Sequence, residues 1–245
     1  LPILLHRKKL AKLEGTFLHG IARECDDAGL LHASFNLNLV KTFRSSCDGP
    51  NLQNIPVRNP LIMQAVRQCF IPREGHRLVE CDYSSIEVRC AEWYTHDPML
   101  RKYIEDPTTD MHRDMAAECY MLRQDQVEKL TRSFVKGLFV FAEFYGDRYF
   151  SVARGLWEAI GLHNLKTGDT GLYEHLASKG ISSCGACNPR KEPAKGTFEE
   201  HIKAVEENFW GKRFKHYARW KENIYDLFLR QGYVDTLTGF RLNGP

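Results

Sequence analysis

Three sets of residues have types and spacing that could do chemistry. In "LVECDYSSIEVRCAEWY", residues 78–94, a short apolar run of strand character gives way at Asp82 to an amphipathic helix. The acid is therefore carried out of the core at the edge of a sheet, unless it serves only as a helix N-cap. Arg132 and Lys136 of "RSFVK" are four residues apart and share one side of a helix. A solvated basic face is the plainer reading of such a pair. Cys184 and Cys187 of "SSCGACNPRK" form one C-x-x-C among eight cysteines. A structural zinc wants four ligands, and there is no second pair, although His163, His175 and His201 could complete a site. A partial or empty site is expected there rather than a zinc centre.

The elements that must position these residues follow from periodicity. Residues 1–29 read as a basic helix, with Lys8, Lys9 and Lys12 on a wet side. "LLHASFNLNLV" alternates like a strand and leads into the amide-rich loop "RSSCDGPNLQNIPVRNP". "AVRQCFIPREGHRLVECDY" reads as two strands joined near Arg73 to Gly75. Helices dominate from Ser84 to about Phe150, broken near Asp97-Pro98 and Asp106-Pro107, with Ile86, Val88, Ala91 and Trp93 on the inner side of the first. Residues 163–197 read as an inserted loop region. Two helical stretches resume from Phe198 to Arg230, with Phe209, Trp210, Phe214, Tyr217 and Trp220 inside, and "GYVDTLTGFRLNGP" begins a hairpin. At 245 residues and 43% hydrophobic, the chain can bury a proper core as an α+β fold. Apolar runs fall well short of the roughly 20 residues of a membrane helix. With no secretory signal pattern either, a soluble, intracellular protein is expected. Its scattered cysteines suit a reducing compartment. A net charge of +3 permits a polyanionic partner without arguing for one.

Taken in order, "TFRSSCDGPNLQNIPVRNP", "CDYSSIEVR", "DMHRDMA", "RSFVKGLFVFAEFYG" and "GYVDTLTGFR" resemble the family A DNA polymerases, the DNA polymerase I group. The match spans about residues 30–150 and resumes near 198, and "DYSSIEVRCAEWY" and "FAEFYGD" look more like phage-type members. The resemblance implies a fragment of the right-hand polymerase fold, a small antiparallel palm sheet with mostly helical fingers. It divides the chain into a helix at the thumb and palm junction (1–29), the first part of the palm (30–115), fingers (116–230) with the 163–197 insertion, and the start of a palm hairpin (231–245).

The same resemblance assigns roles. Asp82, with the backbone carbonyl of Tyr83, would hold two Mg²⁺ ions, hard cations that take oxygen ligands. Glu87 would be the steric gate against a ribose 2′-OH; Ser85 departs from the usual Gln. His112, Arg132 and Lys136 would bind the triphosphate of the incoming nucleotide, with Lys136 also the proton donor to pyrophosphate. Phe141 would pack beside the nucleotide, Tyr145 near the template base, and Gly146 would leave room. Arg44, Asn51, Gln53 and Asn54 would line the primer-template minor groove, where acceptors occur on every base pair. One count misfits. The family spaces this Lys and Tyr by eight residues, whereas Lys136 to Tyr145 is nine, so either the helix bulges between Lys136 and Phe141 or the basic pair sits in a shifted frame.

The family's later H-D-E hairpin, which brings the second metal-binding carboxylate, is absent from these residues. The implied function is template-directed DNA synthesis by two-metal nucleotidyl transfer, catalytically incomplete in this chain. A DNA- or nucleotide-binding module without activity, and a zinc-dependent interaction protein, are the alternatives. Partners would be primer-template DNA and deoxyribonucleoside triphosphates, in the cytoplasm of a bacterial or phage-infected cell. No membrane is implied, and no particular processivity partner.

Overall fold

The structure, a computed structural model, describes residues 2–40, 44–56 and 60–243. Helices dominate, and the strands described pair in small antiparallel two-stranded sheets, an α+β arrangement. The chain forms two compact units, Leu1–Asp82 and Tyr83–Pro245. The division expected at residue 115 is not a structural break, because a single helix runs through it.

In the first unit, α1 (Pro2–Lys12) continues through a π-helical segment, Leu13–His19, into α2 (Gly20–Arg23). Lys8 and Lys12 are exposed as expected, while the Lys9 side chain lies outside the described residues. Phe17 is buried, but Leu4, Leu10 and Leu18 of the same apolar pattern are exposed. β1 (Ser34–Asn36) pairs with β2 (Ser46–Asp48), Phe35 opposite Cys47. The two strands expected between residues 65 and 83 do not form. Residues 65–67 belong to α3 (Pro60–Arg67), and residues 70–83 carry no strand. A strand must give its N–H and C=O groups to a neighbour, and no described segment pairs with this one. Leu78 and Val79 are accordingly 69% and 82% exposed.

The second unit holds the larger core. α4 (Ile86–Thr95), α5 (Pro98–Glu105) and α6 (Met111–Cys119) are separated at the two Asp-Pro steps. Asp97 stops one helix and starts the next: its Oδ1 accepts from the N–H groups of Met99 and Leu100, and Pro98 at the first helical position has no N–H to lose. In α4 Val88 is buried, but Ile86 and Trp93 face outward. Two residues turn an α-helix by about 200°, so Val88 cannot share a face with Ile86 or, one heptad on, with Trp93. α7 (Lys129–Val135) runs through a second π-helical segment, Lys136–Phe141, into α8 (Ala142–Phe144), and α9 (Tyr149–His163) follows.

The expected inserted loop is in fact structured. β3 (Lys166–Thr167), β4 (Thr170–Gly171) and α10 (Leu172–Ser178) tuck Leu165, Leu172, Leu176 and Ile181 into the core. Its glycines and lysines mark turns and surface, and concealed the spaced apolar residues that anchor it. α11 (Phe198–Asn208), a π-helical turn at Phe209–Arg213 and α12 (Lys215–Gln231) complete the helices. Phe209, Phe214 and Tyr217 are buried, with Trp210 and Trp220 packed against them. At roughly 1.5–3 kcal/mol for a fully buried large side chain, this aromatic seam is a principal source of the unit's stability. The closing hairpin forms as expected: β5 (Tyr233–Asp235) pairs with β6 (Arg241–Asn243), Val234 opposite Leu242.

Candidate active site

The densest group of expected site residues lies in the second unit, where α6 begins beside α7 and the π-helical segment. Asp110 caps α6, accepting from the N–H of Arg113 at 3.1 Å. The same carboxylate accepts from Nε of Arg132 at 2.6 Å, fixing that guanidinium beside the start of α6. Partial burial pushes the Asp110 carboxyl up, but the bonds from Arg132 and Arg113 outweigh it and hold it below its usual value. Next in the same helix, His112 is half-buried, and burial first, then the charges of Arg132 and Lys136, push its imidazole down to about 4. It is neutral at pH 7, and its buried Nδ1 has no hydrogen-bond partner.

The π-helical segment decides what stands beside His112. In a regular helix, five residues from Lys136 would carry Phe141 well off the basic face, because each residue turns about 100°. Closing the turn to i+5 adds one residue to it and returns Phe141 to that face. The Phe141 ring meets His112 edge-on at 5.9 Å, and Nζ of Lys136 lies 5.3 Å from its centroid. His112, Arg132, Lys136 and Phe141 are thus one cluster, a neutral imidazole beside two cations, with the imidazole and Lys136 against an aromatic ring. The bulge expected from the residue count is present.

Phe141 also lines a small cavity, about 120 Å³, together with Glu87, Val88, Ala91, Phe144, Tyr145 and Tyr217. Tyr145 ends α8 at 71% exposure, and Gly146 follows with φ of +93°, the left-handed conformation that glycine takes without strain. Its N–H bonds to Glu143 O and that of Asp147 to Ala142 O, a glycine-closed helix end. Glu87 of α4, Phe141 and Tyr145 therefore line one cavity.

Residues 1–163 match the family model described as DNA polymerase family A. This chain belongs to DNA polymerase family A. It is 35% identical over 243 residues to a thermostable DNA polymerase I of Thermus aquaticus, covering 99% of this chain and 24% of the relative. It is also 35% identical over 148 residues to a DNA polymerase I of Deinococcus radiodurans, 60% of this chain and 15% of that protein. Among solved structures it is similar to the POL domain of Pol1 from M. smegmatis in complex with DNA primer-template and dNTP. That match has a TM-score of 0.66 and 22% identity, and covers 99% of this chain and 35% of that one. The chain therefore spans about a quarter or less of the length of these curated relatives.

The remaining expected residues of this family A chain lie elsewhere. Asp82 is an exposed residue of the first unit, on irregular backbone, and Tyr83, 78% exposed, opens the second. Arg44, Asn51, Gln53 and Asn54 are exposed around a single 3-10 turn of the first unit. Asn51 Oδ1 accepts from the Gln53 N–H, and Gln53 Nε2 donates to Ser45. Residues 57–59 of this loop motif, and 41–43 before it, lie outside the described residues.

Cys184 and Cys187 have their sulfurs 3.4 Å apart, and burial, then the neighbouring thiol, pushes Cys184 up to about 12. His175 and His201 meet the carbonyls of Met121 and Glu118 instead of these thiols. Among the described residues, no three His, Cys, Asp or Glu side chains converge as metal ligands. Nor is any described helix long and apolar enough to cross a membrane. Sequence reasoning overlooked Asp110 as the anchor of Arg132; its signal was an Asp three residues before Arg113, at a helix start. Glu143 was also overlooked. It is 1% exposed, with Oε2 accepting from Trp210 Nε1 at 2.8 Å.

Proposed function

We propose that this chain is the nucleotide-binding portion of a family A polymerase that performs template-directed DNA synthesis. It would bind the incoming deoxyribonucleoside triphosphate at the His112, Arg132, Lys136 and Phe141 cluster. The convergence of those four side chains, achieved through the π-helical segment, is the observation that carries the reading. Two cations four residues apart suit a polyphosphate, and Asp110 holds Arg132 through Nε, leaving its terminal nitrogens without a partner among the described residues. Phe141 offers the sugar and base an apolar face, and Glu87 in the same cavity would crowd a 2′-OH. Lys136 would hold a proton for the leaving pyrophosphate. Tyr145 at the mouth of the cavity would stack near the templating base. Arg44, Asn51, Gln53 and Asn54 supply exposed donors suited to minor-groove acceptors.

The donor set at Asp82 suits Mg²⁺. Its exposed carboxylate makes no hydrogen bond among the described residues, and the Tyr83 carbonyl adds the oxygen type a hard cation takes. When bound, such ions stabilise the attacking 3′-oxygen and the leaving pyrophosphate. A cytoplasmic setting fits the bacterial relatives. The test is primer extension with the chain supplied with a segment carrying the H-D-E hairpin. Asp82→Ala should nearly abolish incorporation while leaving duplex binding largely intact, because affinity comes from many phosphate contacts. Turnover retained within tenfold would defeat the assignment.

A further inference from the structure

Where α4 ends and α12 begins lies an open pocket of about 380 Å³, within the range of about 300–1,000 Å³ typical of small-ligand sites. Four-residue spacing sets Lys215, Arg219 and Asn223 along one stripe of α12 and His216 with Trp220 along the next. All five line the pocket, opposite Tyr94 and Thr95 of α4. Lys215, His216 and Arg219 are exposed, and neither Lys215 nor Arg219 makes an ion pair among the described residues. The start of α12 is itself occupied. Oδ2 of the buried Asp97 accepts from the N–H groups of His216 and Tyr217 at 3.1 and 3.2 Å. Attraction for an anion must therefore come from the side chains.

Those side chains stand beside an aromatic edge. The Tyr94 and Trp220 rings are 5.7 Å apart, and Tyr94 is 42% exposed. Cations for phosphates next to a ring for a base is the combination by which single strands are held without sequence preference. The pocket also adjoins the candidate nucleotide site. Tyr217 lines that cavity and packs on Trp220 at 5.6 Å, and Glu87 and Tyr94 are seven residues apart in α4, roughly 10 Å along its axis.

We propose that this pocket is a subsite for unpaired DNA, with a base against Tyr94 and Trp220 and flanking phosphates on Lys215 and Arg219. Its role as the path of the unpaired template strand rests on the polymerase reading above. The test is fluorescence anisotropy of the 245-residue chain with labelled (dT)8 across a salt series, beside binding of a fluorescent deoxyribonucleoside triphosphate. The double variant Lys215→Ala, Arg219→Ala should weaken (dT)8 about tenfold or more at low salt. It should also flatten the slope of log affinity against log salt by about 1.4, the release expected for two single-strand phosphates. Tyr94→Leu should weaken (dT)8 about fivefold or more through lost stacking. Triphosphate affinity should be unchanged in both. Unchanged (dT)8 affinity in the double variant, no binding by the unaltered chain, or competition by inorganic triphosphate as effective as by (dT)8 would each overturn the proposal. Loss of triphosphate binding alone, with pocket-dependent (dT)8 binding intact, would instead overturn the nucleotide-site reading and leave this subsite standing.

Discussion

Glu143 and His112 carry opposite pH dependences within one unit. Burial first, and then the charge of Glu206, pushes the Glu143 carboxyl up to about 8. The folded state thus holds this proton more tightly than the unfolded chain, whose reference is 4.5. The resulting stability is fully present below pH 4.5 and is lost as pH rises through 8. His112 is the reverse, with a folded value near 4 against 6.5, so its contribution is present above 6.5 and lost as pH falls through 4. The two slopes cancel between pH 4.5 and 6.5, so thermal unfolding between pH 4 and 9 should give a broad plateau of stability there, falling on either side. In Glu143→Gln the alkaline limb should flatten, with a gain on the order of 1–3 kcal/mol at pH 9. An alkaline limb unaltered in that variant would show that Glu143 is not the group responsible. At the same scale, Glu87→Ala should raise ribonucleotide incorporation relative to deoxyribonucleotide by about tenfold or more, as expected when a pocket loses its crowding group. An unchanged ratio in competitive single-nucleotide extension would remove Glu87 from that role.

At the scale of elements, the π-helical segment between α7 and α8 was legible because a residue count conflicted with a helical face. Nine residues from Lys136 to Tyr145 cannot keep both on one side of a regular helix, and the chain resolves the conflict with a wider turn. Gly137 lies inside that segment with nothing within 4 Å of where a Cβ would stand. Gly137→Ala should therefore stabilise the unit by about 0.5–1 kcal/mol through the unfolded state alone, read as a higher urea midpoint at unchanged slope. A loss of stability would mean that the wide turn depends on glycine. Other elements were less legible. The run Leu78, Val79 and Cys81 has strand composition, but a strand also needs a paired neighbour, which composition does not supply. The 163–197 segment hid its core contacts because Leu165, Leu172, Leu176 and Ile181 are spaced among turn residues. Its C-x-x-C sits in that fold, the Cys187 N–H donating to buried Glu199 at 2.8 Å and Arg154 donating to the Cys187 carbonyl at 2.7 Å.

For the molecule as a whole, sequence motifs located the candidate site better than they located its supports. Arg132, Lys136, Phe141, Tyr145 and Glu87 were all readable by type and order. Phe209 and Tyr217 were readable as an inner face, but Asp110 as the anchor of Arg132, and the contact of Phe144 with those two rings beneath the cavity, emerge only from packing. Rings 5.9 Å apart for Phe144 and Phe209, and 5.0 Å for Phe144 and Tyr217, tie the end of α8 to the π-helical turn after α11 and to α12. The site is therefore held by long-range contacts within the second unit. Whether the cluster around Phe141 binds a deoxyribonucleoside triphosphate is read from equilibrium titration of a fluorescent deoxyribonucleoside triphosphate with Mg²⁺ into the 245-residue chain and its variants. Arg132→Ala and Lys136→Ala should each weaken binding about tenfold or more, as expected for losing a charged hydrogen bond worth about 1.5–3 kcal/mol. Affinities within twofold of the unaltered chain in both variants would show that this cluster does not hold the triphosphate.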